Sequence, residues 1–375
     1  MMIPCVRDAS PNIQPQPLYD GGDMKIKKSS FNGSAVVFGL MLSFVAGEIV
    51  FAASVADPLV DAAKKEGKLV IYSTSTVEPG EKSIGQKMKE AFPWLDVDEV
   101  LMASGSKLLE RMLLEIQAGK VPDIAHMGSG QMGQLKDKGL LQVYRSPQED
   151  NFVGGFKVPH RMWTPVSFRT VHTIYNSKIV KADALASGYE ALLDPKWKGQ
   201  AGVDIGGTLW QFWTAMEIRR GEDKARDFMR RFGNNEAKPY FSNNQIRNLV
   251  ASGELTFGVY IYLNNIISMQ KEGAPLAIWN ADPVGYFPSV HGMVKNASHA
   301  NAAKLYMEWA LSRETQEWLA KQEVVVPVRK DVENPYPQYF KNVPFVIAGA
   351  DETDPRLERL RDEYKKYFRL QPQKN

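Results

Sequence analysis

Three short segments decide the fold: KLVIYSTST at residues 68–76, DVDEVLMASGS at residues 96–106 and DIAHMGSG at residues 123–130. Each opens with a segment that predicts a strand, which is mainly apolar in the first and third segments and mixed in the second, and closes with serine, threonine or glycine residues that stop a strand and start a helix. Amphipathic helices are predicted between them, most clearly at residues 108–116, where leucine, methionine and isoleucine share one face. This alternation predicts an α/β fold with a mostly parallel sheet and helices on both faces.

The ends of these three strands are a predicted binding site, because parallel strands present their carboxyl ends at one edge of a sheet, where ligands bind. Helix N-termini at that edge offer unpaired backbone N–H groups and a positive potential that suits anions. Any single serine there is more simply a helix cap, but three successive hydroxyl-rich loops favour a site. The predicted binding residues of this part of the chain are Thr74, Ser75, Thr76, Ser104, Ser106 and Ser129.

A second block of alternating strands and helices follows, and a third such block begins after residue 284. Two α/β lobes joined by more than one crossing suit a protein that closes around a ligand by a hinge motion. The predicted strands of these blocks are 166–175, 201–205, 237–241, 255–262 and 289–295, and the predicted helices are 210–219, 244–251 and 300–311.

The N-terminal region has the pattern of an export signal. Basic residues from Lys25 to Lys28 precede an apolar run at residues 35–46, and small residues around Ala53 suit a signal peptidase. The run is shorter than the roughly 20 residues that a membrane-spanning helix needs. We therefore expect residues 1–52 to comprise an upstream extension and a cleavable signal peptide, and the mature protein to be periplasmic.

Composition narrows the function further. The only cysteine, Cys5, lies in the segment expected to be removed. The mature chain would then have no cysteine to form a disulfide or to act as a thiol nucleophile. A net charge of +3 and a charged content of 24% give no support for nucleic-acid binding. The signal carries no arginine pair, which favours export in the unfolded state and therefore without a bound cofactor. We also expect the protein to be a monomer.

Several segments, in order along the chain, resemble the ferric-ion-binding branch of the bacterial periplasmic solute-binding proteins. They are EGKLVIYS at 66–73, YEALLDPKWKG at 189–199, ASGE at 251–254 and VKNASHANAAK at 294–304. The resemblance implies a two-lobed Venus-flytrap fold with a hinge, a ligand in the cleft, and a partner permease and ATPase. The implied lobes are residues 53–165 with 284–330, and residues 166–283 with 331–375.

In ferric members of that family, a histidine and a glutamate of the first lobe and adjacent tyrosines of the second lobe hold the iron. Here the loops after the first and third strands lack histidine and glutamate. Tyr260 and Tyr262 alternate, which predicts that both lie on one face of a strand, as iron ligands or as packing residues. Two phenols alone are a poor ligand set for ferric iron.

The anion-binding positions of the family correspond better to this sequence. Gly207 and Thr208 stand at a predicted helix N-terminus, and Ser242 and Asn243 stand where the family often places an amide. We therefore expect a small anionic solute, namely a phosphorylated, phosphonate or carboxylate compound, with ferric iron or an exported enzyme as alternatives. Bulky apolar substitutions of Thr208 or Asn243 are predicted to weaken binding and to leave the fold intact.

Signals for enzymatic chemistry are weak. GSGQMG at residues 128–133 matches a dinucleotide fingerprint, but it follows the third strand and opens a short helix. No nucleophile-elbow or zinc-protease motif occurs in the sequence. The histidines stand at scattered positions and are interpreted as surface or packing residues, namely His126, His160, His172, His291 and His299.

Overall fold

The computed structural model describes residues 57–74, 82–102, 104–153, 156, 158–185, 188–205, 208–279, 281–340, 345–347 and 356–368. The predicted signal segment, residues 1–52, and the predicted site residues Ser75, Thr76 and Gly207 lie outside these residues. Within the described ranges, no helix combines the length and the apolar character that crossing a membrane would require.

The strands and helices alternate along most of the chain. The strands are β1 Lys68–Ser73, β2 Asp96–Leu101, β3 Ile124–Met127, β4 Thr164–Asn176, β5 Ala201–Asp204, β6 Lys238–Tyr240, β7 Phe257–Tyr262, β8 Leu276–Trp279, β9 Val284–Met293, β10 Val326–Pro327 and β11 Phe345–Ile347. The helices are α1 Asp57–Glu66, α2 Ile84–Ala91, α3 Gly105–Gln117, α4 Ser129–Asp137, α5 Thr208–Arg220, α6 Glu222–Asn234, α7 Asn243–Ser252, α8 Leu263–Lys271, α9 Ala300–Ala310, α10 Arg313–Gln322 and α11 Arg356–Tyr367.

The predicted α/β alternation is confirmed, and side-chain caps set several of the helix ends. At the start of α2, Ser83 and Gln86 form a reciprocal capping box. Of the two serines predicted to cap α3, Ser104 does so by accepting the N–H of Lys107. The sequence patterns missed α6, α8, α10, α11 and the short strands β8, β10 and β11.

The strands form one sheet in the order β2-β1-β3-β9-β4-β7-β5-β6, and β8, β10 and β11 join it by pairing with β4 or β9. We call β2-β1-β3 the first half-sheet and β7-β5-β6 the second half-sheet. Pairing inside each half-sheet is parallel. Every antiparallel pair among the described strands involves β4 or β9, the long strands that cross from one half-sheet to the other.

Each half-sheet has its own hydrophobic core. Tyr72 and Ala125 of the first half-sheet pack against α3 and α4. The second half-sheet is covered on one face by Phe212 of α5 together with α6, and on the other by Ile246 of α7 together with α8. The predicted lobe boundaries at residues 165/166 and 283/284 fall at the first residues of β4 and β9.

Candidate ligand-binding cleft

The strand register places the two sets of strand ends opposite each other. The last residue of β3, Met127, pairs with Val290 of β9, which pairs with Pro165 of β4. Six residues further along β4, Val171 pairs with Tyr262, the last residue of β7. The carboxyl ends of the two half-sheets therefore face each other across a stretch of β4 about 20 Å long. We call this gap the cleft.

Arg169 lies in the middle of this stretch of β4. Its guanidinium is 3.6 Å from a carboxylate oxygen of Glu323, and its side chain is 29% exposed. The guanidinium carries five N–H donors, and none of them forms a hydrogen bond with another described residue. The sequence patterns missed Arg169. A signal was present, because an arginine inside a predicted strand is almost never fully buried unless it is paired.

A histidine pair lines the first half-sheet beside the cleft. His126 and His291 pair in register and their rings stack with centroids 3.9 Å apart. The His126 ring contacts the hydroxyls of Ser73 at 2.9 Å and Ser289 at 2.6 Å. Burial, together with a smaller contribution from the positive charge of Arg169, lowers the pKa of His126 to about 3. The pair is therefore neutral at physiological pH and is a packing and hydrogen-bonding element, as expected for scattered histidines.

The predicted hydroxyl residues of the first half-sheet occupy the expected edge but differ in exposure. The backbone N–H of Thr74 donates to the carbonyl of His126 at 3.0 Å, and its hydroxyl lies 3.4 Å from the same oxygen. Ser104 and Ser106 are exposed at the start of α3, whereas Ser129 is buried in the first turn of α4. Thr74, Ser104 and Ser106 keep accessible surface at the rim of the cleft.

Asn243 links α7 to other elements of the second lobe region by side-chain hydrogen bonds. Its amide donates to the carbonyl of Tyr260 at 3.1 Å and to the hydroxyl of Thr208 at 3.3 Å. Its side-chain oxygen accepts the N–H of Tyr262 at 3.2 Å, and the residue is 9% exposed. The expectation that a bulky apolar residue at position 243 leaves the fold intact is therefore incompatible with these contacts. Thr208 is fully buried, and Ser242 caps α7 by accepting the N–H of Gln245.

The two predicted tyrosines have different environments. Tyr260 has a φ of 60°, which interrupts the strand alternation, and its fully buried hydroxyl donates to the carbonyl of Pro283 at 3.1 Å. Tyr262 keeps some exposure beside the cleft. Burial raises the pKa of the Tyr262 phenol, Arg169 opposes this, and Asp204 adds to it. Of this pair, Tyr262 is the residue that keeps accessible surface, and its phenol has a hydrogen bond with the side chain of Gln211.

Among the described residues, no group of three or more histidine, cysteine, aspartate or glutamate side chains lies close enough together to hold a metal ion. The Tyr260 hydroxyl is engaged in the core, and Tyr262 is the partly exposed tyrosine of the pair. That donor set differs from the several anionic ligands that ferric iron prefers.

The fold and the cleft define a two-lobed ligand-binding protein. A sequence profile of the bacterial extracellular solute-binding proteins matches residues 119–353, and the chain belongs to this family. Members of the family are the substrate-binding components of ABC importers rather than enzymes, and they work with a permease and an ATPase.

Two relatives illustrate the range of the family. Iron uptake protein A1 of Synechocystis is 23% identical over 289 residues, which is 72% of this chain and 78% of that protein. A putative 2-aminoethylphosphonate-binding periplasmic protein of Salmonella typhimurium is 23% identical over 209 residues, covering 53% of this chain and 61% of that protein. Their names point to different ligand classes.

A solved structure supports the two-lobed architecture. The periplasmic binding protein AfuA of Actinobacillus pleuropneumoniae, with fructose-6-phosphate bound, superposes with a TM-score of 0.64. The two chains are 22% identical, and the match covers 81% of this chain and 99% of AfuA. The similarity confirms the predicted fold, an α/β periplasmic binding protein with two lobes.

Proposed function

We propose that this solute-binding protein captures a small anionic solute, a phosphorylated, phosphonate or carboxylate compound, in the cleft. The observation that carries the proposal is Arg169. Its guanidinium sits midway between the two sets of strand ends, and it makes no hydrogen bond to another described residue. A partly buried guanidinium with unused donors is suited to bind a carboxylate or phosphate with two parallel hydrogen bonds.

The surroundings of Arg169 suit the same ligand class. The N-termini of α5 and α7 lie at the strand ends of the second half-sheet, where their helix dipoles contribute positive potential. On the opposite side of the cleft, the hydroxyls of Thr74, Ser104 and Ser106 can donate to ligand oxygens. These groups replace the hydration of an anion without supplying a second full positive charge.

The relatives support this class of ligand without deciding it. The names of the Salmonella relative and of the AfuA complex give a phosphonate and a sugar phosphate. The name of the Synechocystis relative gives iron, and Tyr262 is the cleft residue that would serve it. Iron is therefore the second candidate, and the experiment below distinguishes the two.

We propose the following assembly for transport. The mature chain begins near Ala53 after signal cleavage and acts in the periplasm as a monomer. Residues 53–165 and 284–330 form one lobe, and residues 166–283 and 331–375 form the other. The ligand stabilises the closed arrangement of the lobes by its higher affinity for that state, and the closed form docks on the permease.

Isothermal titration calorimetry of the exported protein tests the ligand class. The probes are inorganic phosphate, fructose 6-phosphate, 2-aminoethylphosphonate, citrate and ferric citrate. We expect at least one iron-free anion to bind, and Arg169→Gln to weaken it by about 10- to 100-fold because charge-assisted hydrogen bonds are lost. The control is Arg145→Gln, which removes an arginine that is 52% exposed and paired with Asp150.

Three outcomes are decisive. Binding that Arg169→Gln weakens and Arg145→Gln leaves unchanged supports the proposal. Binding of ferric citrate alone, lost in Tyr262→Phe, contradicts it and favours iron. Anion binding that Arg169→Gln leaves unchanged removes Arg169 from the site.

A further inference from the structure

An exposed phenylalanine, Phe241, lies at the rim of the cleft. It follows the last residue of β6 and precedes Ser242, the cap of α7. Among the well-exposed large hydrophobic residues that the structure describes, Phe241 is the most exposed, at 68%, and the others are aliphatic. Ligand sites in proteins combine such aromatic surfaces with a few polar groups that fix the orientation of the ligand.

The backbone around Phe241 is held on both sides. Before it, the carbonyl of Tyr240 accepts the backbone N–H of Ile205 at 2.9 Å. After it, the carbonyl of Ser242 accepts the backbone N–H of Ile246 at 3.2 Å. The ring is therefore attached to an ordered position, and a ligand that contacts it loses little binding free energy to ordering this part of the chain.

The packing of α7 does not account for the ring. A hydrophobic residue just before a helix cap often packs on the fourth helical residue, which here would pair Phe241 with Ile246. Ile246 is fully buried, and the partly buried residues packed against its cluster include Tyr240 but not Phe241. Within the described ranges, the usual stabilising contact of a phenylalanine at this position is therefore not made.

The strand register places Phe241 within reach of a solute bound to Arg169. Tyr240 pairs with Asp204 of β5, so Phe241 stands level with the last residues of β7 and, through them, with His172 of β4. Arg169 lies three residues further along β4, and three strand spacings separate β6 from β4. These spacings put the two backbones about 17 Å apart. Two long side chains at that separation can contact opposite ends of one small solute.

We propose that Phe241 selects organic anions by packing on the carbon skeleton of a solute whose anionic group is bound by Arg169. The inference rests on the proposed anion-binding function and adds a residue that determines its specificity. A phenyl ring offers apolar surface and no N–H or O–H donor, so it gains little from the oxygens of an anion. Covering about 50 Å² of apolar surface with the carbon skeleton of the solute raises affinity by about five- to tenfold. Inorganic phosphate has no carbon and does not gain this contribution.

The test measures the Kd of four anions by calorimetry of the exported protein. The probes are inorganic phosphate and three organic anions, namely 2-aminoethylphosphonate, fructose 6-phosphate and citrate. We expect Phe241→Ala to weaken the organic anion that wild type binds most tightly by about five- to tenfold, and to leave inorganic phosphate unchanged. Phe241→Tyr keeps the ring and should bind like wild type. Ile218→Ala is the matched control, because Ile218 is an apolar residue, 47% exposed, near the end of α5 that points away from the cleft.

The pattern of these values separates the inference from the function. A loss for the organic anion in Phe241→Ala, absent in Phe241→Tyr and Ile218→Ala, supports the inference. The inference is overturned if Phe241→Ala binds the organic anion like wild type, if it weakens inorganic phosphate equally, or if wild type binds inorganic phosphate most tightly. In these cases the proposed function still stands when Arg169→Gln weakens the bound anion. If wild type binds none of the four anions, both proposals fail together. A thermal melt without ligand checks that Phe241→Ala is folded.

Discussion

Asn243 provides a direct test of how the second half-sheet is held together at the cleft. Its amide bridges the carbonyl of Tyr260, the hydroxyl of Thr208 and the backbone N–H of Tyr262. Asn243→Leu keeps a side chain of similar volume and removes all three hydrogen bonds. The carbonyl of Tyr260 and the N–H of Tyr262 then remain inside the protein without this partner.

The size of the effect follows from these two backbone groups. A buried backbone group that loses its hydrogen bond costs about 1 to 3 kcal/mol. Two such groups predict that Asn243→Leu lowers the free energy of unfolding by about 2 to 6 kcal/mol. The exposed neighbour Asn244, whose side chain only accepts from Asn265 at 3.3 Å, supplies the control. Asn244→Ala should stay within about 0.5 kcal/mol of wild type.

Urea denaturation followed by circular dichroism measures both variants, and the slope of each transition shows whether unfolding remains two-state. A loss of stability in Asn243→Leu that Asn244→Ala does not share supports the stabilising role of the Asn243 hydrogen bonds. If Asn243→Leu is as stable as wild type but binds no solute, the hydrogen-bond reasoning is refuted, and Asn243 contacts the ligand directly.

Two further predictions concern pH and the C-terminal helix. The pKa of His126 is about 3 in the folded protein and about 6.5 when unfolded, so the unfolded state takes up the proton first. As the pH falls from 6.5 to 4.5, protonation of His126 in the unfolded state should therefore lower the free energy of unfolding by about 2 kcal/mol. His126→Gln should flatten that pH dependence in urea titrations, and parallel slopes for variant and wild type would contradict this. A Cβ at Gly233 of α6 would lie 2.5 Å from the carbonyl oxygen of Tyr367 in α11. Gly233→Ala should thus displace α11, cost about 1 to 3 kcal/mol and speed hydrogen exchange over residues 356–367. The exposed neighbour substitution Asn234→Ala should change neither quantity, and an equally small effect of Gly233→Ala would show that α11 does not depend on this contact.

Much of the fold could be predicted because its signals are local. The strands β1 and β3 follow from short apolar runs, and the helix α3 between β2 and β3 follows from periodicity and a capping serine. The elements that were missed, such as α6 and α11, carry many charges and pair those charges with one another. Arg226 of α6, for example, bonds Glu363 of α11 across 137 positions in the sequence. Local patterns do not contain such pairings.

The candidate site was predicted only in outline. Hydroxyl-rich strand ends correctly marked one edge of each half-sheet, because parallel strands place their ends together. The binding role of Asn243 stays a prediction, and its hydrogen bonds to Thr208 of α5 and to Tyr260 and Tyr262 of β7 could not be foreseen from local sequence. Tyr260 and Tyr262 differ in exposure because a positive φ at Tyr260 interrupts the alternation that the sequence pattern assumes.

The α/β class of this protein could be predicted from its sequence, because strands and helices alternate in a fixed order with helix N-termini at the strand ends. Those features depend on residues a few positions apart, so they can be predicted without knowledge of the tertiary structure. Which groups meet in the cleft depends on the tertiary structure. It brought Arg169 beside Glu323, which is 154 positions away, and His126 onto His291, because the crossing strands β4 and β9 set their register through backbone pairing over the whole chain.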